Sequence, residues 1–272
     1  MGIYDLPATV APAVSGLYIA GETEPASLML LALTVFFLHM SANALNDIAD
    51  YEPDRINAPD RLLVRGVLSS QQVGVLSTVL MLIGLLFAWM LDWLLFTAAA
   101  TLGLILWMAY NYGARLKDRP LGSLIYLSMS TSAVPFIGGF IVMRNLNMVS
   151  VALAFFLAVF TGAIVIDSLK DIRGDIYANK RTVAVLLGEE RARRFVTALL
   201  LIPILAYPLL WLVFGFSQIY LLYVTIPISL RLLIGSMLLF RREIDTPRIL
   251  TRLLIVVDFT ILALAKPEYG LL

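Results

Sequence analysis

Nine apolar stretches, near residues 7–21, 26–46, 73–91, 93–111, 121–143, 149–168, 194–214, 217–240 and 247–265, follow one another with little polar sequence between them. A helix needs roughly 20 apolar residues to cross the hydrocarbon of a bilayer, and only structures that satisfy their own backbone hydrogen bonds survive there. The pattern therefore predicts an all-α, polytopic membrane protein of nine transmembrane helices, organised as one membrane-embedded domain over residues 1–272. Composition agrees: the 272 residues are 60% hydrophobic and 14% charged, with a mean hydropathy of +0.90, more apolar surface than one aqueous domain hides. No basic run precedes the first stretch and no small-residue cleavage site follows it, so it reads as a membrane helix and not as a signal peptide.

The connections alternate in charge. Those after the second, fourth, sixth and eighth stretches, with the starts of the helices that follow, hold 17 of the 20 Lys and Arg residues, among them Arg61, Lys117, Lys170, Arg181, Arg241, Arg242 and Arg248. The other connections are short and carry Glu22, Glu24, Asp92 and Arg144. Positive loops stay inside, which places the N-terminus and the basic loops in the cytoplasm, with the plasma membrane as the expected location. Spread this way, the basic residues report topology and suggest no nucleic-acid partner.

Two of the basic connections begin with matched acidic patterns. In "SANALNDIADYEPDRINAPDRLLVRG", Asn46, Asp50 and Asp54 recur at i, i+4 and i+8; in "VIDSLKDIRGDIYANKRTVAVLLG", Asp167, Asp171 and Asp175 do the same. On a helix each triplet lies within ~80° of arc, rising ~6 Å per step. Like charges at i, i+4 repel, so two such stripes at one membrane border ask for a strong cation. The chain has no Cys and one His, which leaves oxygen ligands and favours Mg²⁺. Asn46, Asp50, Asp54, Asp167, Asp171 and Asp175 are the candidate metal-binding set, with two ions expected and Asp47 and Asp167 in supporting roles. Mg²⁺ usually shares its shell with phosphate oxygens, and Arg61, Lys117, Lys170 and Arg181, with Arg65 and Lys180 nearby, are the cations that complement a pyrophosphate.

These residues resemble the UbiA superfamily of membrane prenyltransferases. "NDIADYEPD" matches its N-D-x-x-D-x-x-x-D motif, "DRINAPDR" resembles the continuation of that motif, and "KDIRGDIYANKRTVAVLLG" resembles its second D-x-x-x-D element. The likeness spans roughly residues 7–190. It implies nine helices around a central cavity open to the cytoplasm, a polyprenyl pyrophosphate donor, and a lipophilic or aromatic acceptor. It also implies that Tyr110 and Lys117 stand beside the pyrophosphate, giving Asp50, Asp54, Asp171, Asp175, Lys117 and Tyr110 as the expected catalytic group. Three stretches, "LPATVAPAVSGLYIAG", "YNYGARLKDRPLG" and the second acidic element, lean toward the branch that prenylates dihydroxynaphthoate in quinone biosynthesis. The chain departs from that branch at "YDLP", at Ile166-Asp167 and at Ser123; a glyceryl-lipid phosphate or a tetrapyrrole is the alternative acceptor.

An allylic pyrophosphate ionises once its leaving group is neutralised, and the carbocation must then be screened from water by apolar and aromatic walls. Trp107, Tyr110, Tyr112, Tyr126 and Phe136 are the available aromatics. Small residues in "APAVSG" and "STSAVPFIGG" either leave room for a prenyl tail or pack helices closely. His39 is expected to hydrogen-bond across helices, and Arg231 with Asp258 to form a buried pair. An ion-coupled transporter is the competing class, but transporters gather binding groups near the midplane, whereas these acids collect at a border. A CDP-alcohol phosphotransferase would need a D-G-x-x-A-R element, which the sequence lacks.

Overall fold

The structure, a computed structural model, describes residues 6–112, 114–240 and 243–265. Arg241, Arg242, and Tyr4 and Asp5 of the "YDLP" departure lie outside them. The elements of the described residues are helices joined by short turns and loops: α1 Leu6–Ile19, α2 Pro25–Ala49, α3 Tyr51–Asn57, α4 Ser70–Leu91, α5 Trp93–Asn111, α6 Pro120–Val142, α7 Met148–Lys170, α8 Ile172–Tyr177, α9 Val183–Leu187, α10 Glu189–Phe214, α11 Gln218–Phe240 and α12 Asp245–Leu264. Seven of these, α2, α4, α5, α6, α7, α10 and α11, are long and apolar enough to cross a membrane. Of the other two stretches expected to span, α1 has 14 residues, and α12 has the length but carries Asp245, Arg248, Arg252 and Asp258.

Element starts follow local chemistry. Ser69 and Gln72 form a reciprocal capping box at the head of α4, and Asn147 with Ser150 forms another at α7, each satisfying backbone N–H groups that a helix start leaves open. Asp92 accepts from the N–H groups of Leu94 and Leu95 and so separates α4 from α5 with no loop. Contacts between neighbours run α1, α2, α4, α5, α6, α7, α10, α11, α12 and back to α1, closing the long helices into a ring. Leu82, Leu86, Leu205 and Leu212 stay exposed on the outside, as expected where lipid takes the place of water.

α1 also crosses to α6, and there the small residues serve packing. A Cβ on Gly16 would lie 2.9 Å from the Phe136 Cα, and one on Gly139 would lie 2.5 Å from the Leu17 Cα. Backbones this close need glycine at both crossings. Ser15 donates to the Phe259 carbonyl at 2.8 Å, tying α1 to α12. The expected charge pair is present: Arg231 bonds Asp258, and both side chains are fully buried. Tyr207 completes it, donating to Asp258 at 2.6 Å and accepting from Arg231 Nε at 2.9 Å. Every strong polar group of this trio has a partner, the condition under which charges tolerate burial.

Candidate functional site

Each acidic segment begins as the end of a long helix and breaks at its middle aspartate. α2 ends at Ala49, Asp50 takes φ −105° and ψ 17°, and α3 resumes at Tyr51. On the second segment Asp171 takes φ −93° and ψ 3° between α7 and α8. The i→i−4 hydrogen bonds persist across both breaks, from the Asp50 N–H to Asn46 and from Asp54 to Asp50 at 2.8 and 2.9 Å, and from Asp171 to Asp167 and Asp175 to Asp171 at 3.3 and 2.9 Å. The stripe spacing read from the sequence therefore survives a bend. Asn57 joins the segments: its Nδ2 donates to the Asp171 carbonyl at 2.9 Å and its Oδ1 accepts from the Gly174 N–H at 2.7 Å. Any Cβ on Gly174 would overlap the Asn57 amide and the Pro53 carbonyl, so the approach requires glycine.

The two segments wall a polar chamber of about 150 Å³. Asn46, Asp50, Asp54, Tyr110, Arg61, Lys117, Asp167, Lys170, Asp171 and Asp175 all line it, together with Lys180 and Arg248. Arg181, expected in this group, does not: it is exposed, and its backbone N–H bonds the Asp118 carbonyl at 3.0 Å. The reason is local. Asn179 sits at φ 55°, a left-handed conformation that Asn tolerates better than most residues, and the reversal sends Lys180 inward. Arg65 is also exposed and away from the chamber.

Charges inside the chamber fall into groups of different balance. Asp50 accepts from Lys117 and from Lys180, both at 2.7 Å, and from the Asn46 amide at 2.9 Å. Burial alone raises this carboxyl, but the two ammonium groups outweigh it and hold it below the usual carboxylate range. Burial lowers Lys117, while Asp50 overcomes burial at Lys180 and raises it. Asp47 and Asp54 share one guanidinium, Arg61. Burial and neighbouring carboxylates push Asp54 up to about 7 despite that contact. Asp175 accepts from Thr182 at 3.1 Å and lies 3.7 Å from Lys180, and burial raises it. Asp171 has no hydrogen bond to its carboxylate among the described residues, and burial with Asp167 and Asp175 nearby raises it to about 6.

Asp167, expected in the metal set, has both oxygens occupied by arginines from α12: Arg248 Nε at 2.6 Å and Arg252 Nη2 at 2.5 Å. Sequence reasoning did not place these arginines, 81 and 85 residues away, because only the ring closure brings α12 to α7. Asn57 was likewise missed as a positioning residue, although it stands inside the quoted "DRINAPDR".

The remaining donors suit a hard divalent cation. Among the described residues the side-chain oxygen of Asn46 is buried and without a hydrogen-bond partner, the Asp171 carboxylate is unbonded, and others are crowded by like charges. Among the described residues no three acidic or His groups converge on one point, so any ion held here takes one or two carboxylates and completes its shell elsewhere, the habit of Mg²⁺.

Below the polar chamber lies a second, largely apolar cavity of about 380 Å³, and the two share Asn46, Tyr110 and Leu127 as lining. Trp107, Tyr126, Gly138 and His39 face it; His39 Nδ1 lies 3.5 Å from Thr9 Oγ1 across α1 and α2. Tyr110 and Tyr126 stack with centroids 4.0 Å apart. Both helices that build this wall widen there into single π-helical turns, Ala99–Gly103 in α5 and Met129–Ala133 in α6, a distortion that often accompanies function. Tyr112 is exposed and Phe136 is buried against Phe140 and Phe259, away from the cavity.

Comparison with known proteins fits this arrangement. A digeranylgeranylglyceryl phosphate synthase of Thermococcus kodakarensis is 31% identical over 175 residues, covering 63% of this chain and 61% of that protein's length. The enzyme of the same name from Sulfurisphaera tokodaii is 26% identical over 236 residues, covering 85% and 82%. In fold the chain is similar to a UbiA homolog from Aeropyrum pernix K1 (TM-score 0.72, 20% identity, 96% and 98% covered). It is also similar to one from Archaeoglobus fulgidus bound to GPP and Mg²⁺ (TM-score 0.68, 18% identity, 95% and 96% covered). With seven membrane-length helices it is an integral membrane protein. Residues 9–256 match the UbiA prenyltransferase family, and the chain belongs to that family.

Proposed function

We propose that this protein transfers a prenyl group from an allylic polyprenyl pyrophosphate to the hydroxyl of a glyceryl-lipid phosphate, with Mg²⁺, at the cytoplasmic border of the membrane. One observation carries it: a chamber of carboxylates, amide oxygen and ammonium groups opens at Asn46, Tyr110 and Leu127 onto an apolar cavity. A diphosphate head with a hydrocarbon tail is the ligand that satisfies both at once. In this reading all nine apolar stretches span the membrane, and the chamber opens on the side where the basic residues gather.

The acceptor follows from the relatives, which are named as glyceryl phosphate synthases, and it replaces the lean toward dihydroxynaphthoate. The stretches behind that lean have a common task. "YNYGARLKDRPLG" supplies Lys117, the second acidic element supplies Asp171, Asp175 and Lys180, and helix 1 packs α6. They describe a diphosphate site and helix packing, which any acceptor branch needs.

Two Mg²⁺ ions are proposed, one with Asn46, Asp50 and Asp54 and one with Asp171 and Asp175; when bound they supply charge neutralisation to the leaving diphosphate. The protein's own residues do the rest. Asp50 and Asp54 would hold the ion with Asn46, and Lys117, Lys180 and Arg61, which here bond those two carboxylates, would then meet phosphate oxygens, with Lys170 also lining the chamber. The allylic C–O bond breaks with its electron pair leaving on diphosphate, a new C–O bond forms to the acceptor hydroxyl, and the proton of that hydroxyl passes to the departing diphosphate. The stacked Tyr110–Tyr126 pair gives the cationic carbon a π face where water is excluded.

The test is product formation. Purified protein with Mg²⁺ and labelled geranylgeranyl pyrophosphate is offered a prenylglyceryl phosphate, dihydroxynaphthoate and 4-hydroxybenzoate. The expected product is a diprenylated glyceryl phosphate; an aromatic prenyl product alone would replace the acceptor, and no product with any acceptor would remove the activity.

A further inference from the structure

Counted by group, the chamber is not uniformly charged. Among the described residues Asp47 and Asp54 outnumber their single Arg61, Asp50 and Asp175 balance Lys117 and Lys180, and Asp171 has no cation bonded to it. Among the same residues, only at Asp167 do guanidinium groups outnumber the carboxylate they bond, with Arg248 and Arg252 on either oxygen. A carboxylate with a guanidinium on each oxygen is a firm anchor and offers metal less than Asp50 does, whose Oδ2 accepts only from the neutral Asn46 amide. Arg248 spends Nε on Asp167 and Nη1 on Asp245 at 3.1 Å. Its Nη2 makes no hydrogen bond among the described residues, and the side chain lines the polar chamber.

We infer that Arg248, held by Asp167, is a phosphoryl-binding residue contributed by α12, and that Asp167 is its positioning residue and not a metal ligand. The inference rests on the prenyl-transfer reading above and assigns part of its site. Guanidinium is suited to the task because it keeps its charge and presents several N–H donors in a fixed plane to phosphate oxygens. Two phosphoryl groups enter this chamber in that reaction, the diphosphate of the donor and the phosphate of the acceptor, and either offers the chemistry that Arg248 recognises.

The experiment separates them. Calorimetry with geranylgeranyl pyrophosphate and Mg²⁺, without acceptor, gives the donor Kd; steady-state assays give KM and kcat for a prenylglyceryl phosphate and for its dephosphorylated alcohol. Arg248→Gln is expected to raise the donor Kd, or the KM for the phosphorylated acceptor, by at least ~10-fold, with a smaller change in kcat. If the acceptor phosphate is the ligand, the alcohol shows no such rise and the donor Kd stays put; if the diphosphate is, the donor Kd moves. Arg248→Lys, which keeps the charge, should fall between, and Asp167→Asn should shift the same constant in the same direction. As a check that needs no variant, phenylglyoxal labelling of Arg248 in the wild-type protein, read by mass spectrometry, should slow when that ligand is added. Both constants within twofold of wild type in Arg248→Gln, or labelling indifferent to both ligands, overturns the inference. Wild-type protein that binds no donor and forms no product instead overturns the reading beneath it.

Discussion

The two acidic segments share a spacing and a break at the middle aspartate, yet the two middle aspartates live in opposite electrostatic worlds. Asp50 is clasped by two lysines and held below the usual carboxylate range, whereas Asp171 has no hydrogen bond to its carboxylate among the described residues and is pushed up to about 6. The same i, i+4, i+8 spacing, opened by Asn46 in one segment and by Asp167 in the other, thus produces one carboxylate that is already neutralised and one that is not. Each carboxylate of the first segment has a cationic partner, while the second keeps one carboxylate without a hydrogen bond among the described residues.

The sharpest way to break the comparison is to remove each middle carboxylate. Asp171→Ala and Asp50→Ala are both expected to lower turnover by ~10²-fold or more, the scale of losing a group that stabilises transition-state charge. Stability should separate them. Asp50→Ala strands the buried Lys117 and leaves Lys180 only the more distant Asp175, a loss on the order of 3 kcal/mol, while Asp171→Ala relieves repulsion and should leave thermal unfolding unchanged or raised; equal melting of the two variants would show that the asymmetry is not real.

Next in size is the clamp between segments. Asn57→Ala removes two hydrogen bonds to the second break and is expected to weaken Mg²⁺-dependent donor binding by ~10- to 100-fold, as loss of groups that orient metal ligands does. Calorimetric titration checks it. The pH dependence is smaller. With burial raising Asp54 to about 7 and Asp171 to about 6, both are partly protonated in mildly acidic solution, and Mg²⁺ must displace those protons. Apparent Mg²⁺ affinity should therefore rise from pH 5.5 to 7.5 and level off above; Asp171→Asn should flatten its lower part, and an affinity constant across that range would contradict the assignment. The smallest effect belongs to Arg181, whose replacement by Met should leave donor binding within twofold, in contrast to Lys180→Met; a large loss at Arg181 would show that it, too, contacts the donor.

Much of this was legible in the sequence, and what was not has a physical reason. Apolar length found the long helices, because hydrocarbon thickness sets a length that a sequence must meet. The i, i+4, i+8 pattern found the carboxylates, since helical hydrogen bonding persists through both breaks. That Lys180 and not Arg181 lines the chamber depends on a single left-handed residue, Asn179, which sequence spacing does not reveal. Arg248 and the true partners of Asp167 were invisible, since nothing local links α7 to α12. Asn57 was quoted for resemblance but not for its task, which depends on the approach of Gly174.

The central claim is that the paired chambers hold a prenyl diphosphate through both acidic segments. Calorimetry of geranylgeranyl pyrophosphate on wild-type protein, Asp50→Ala and Asp171→Ala, each with and without Mg²⁺, tests it most directly. Tight binding is predicted only for the wild type with Mg²⁺; both variants binding the donor as tightly as the wild type, or wild-type binding indifferent to Mg²⁺, would contradict the account.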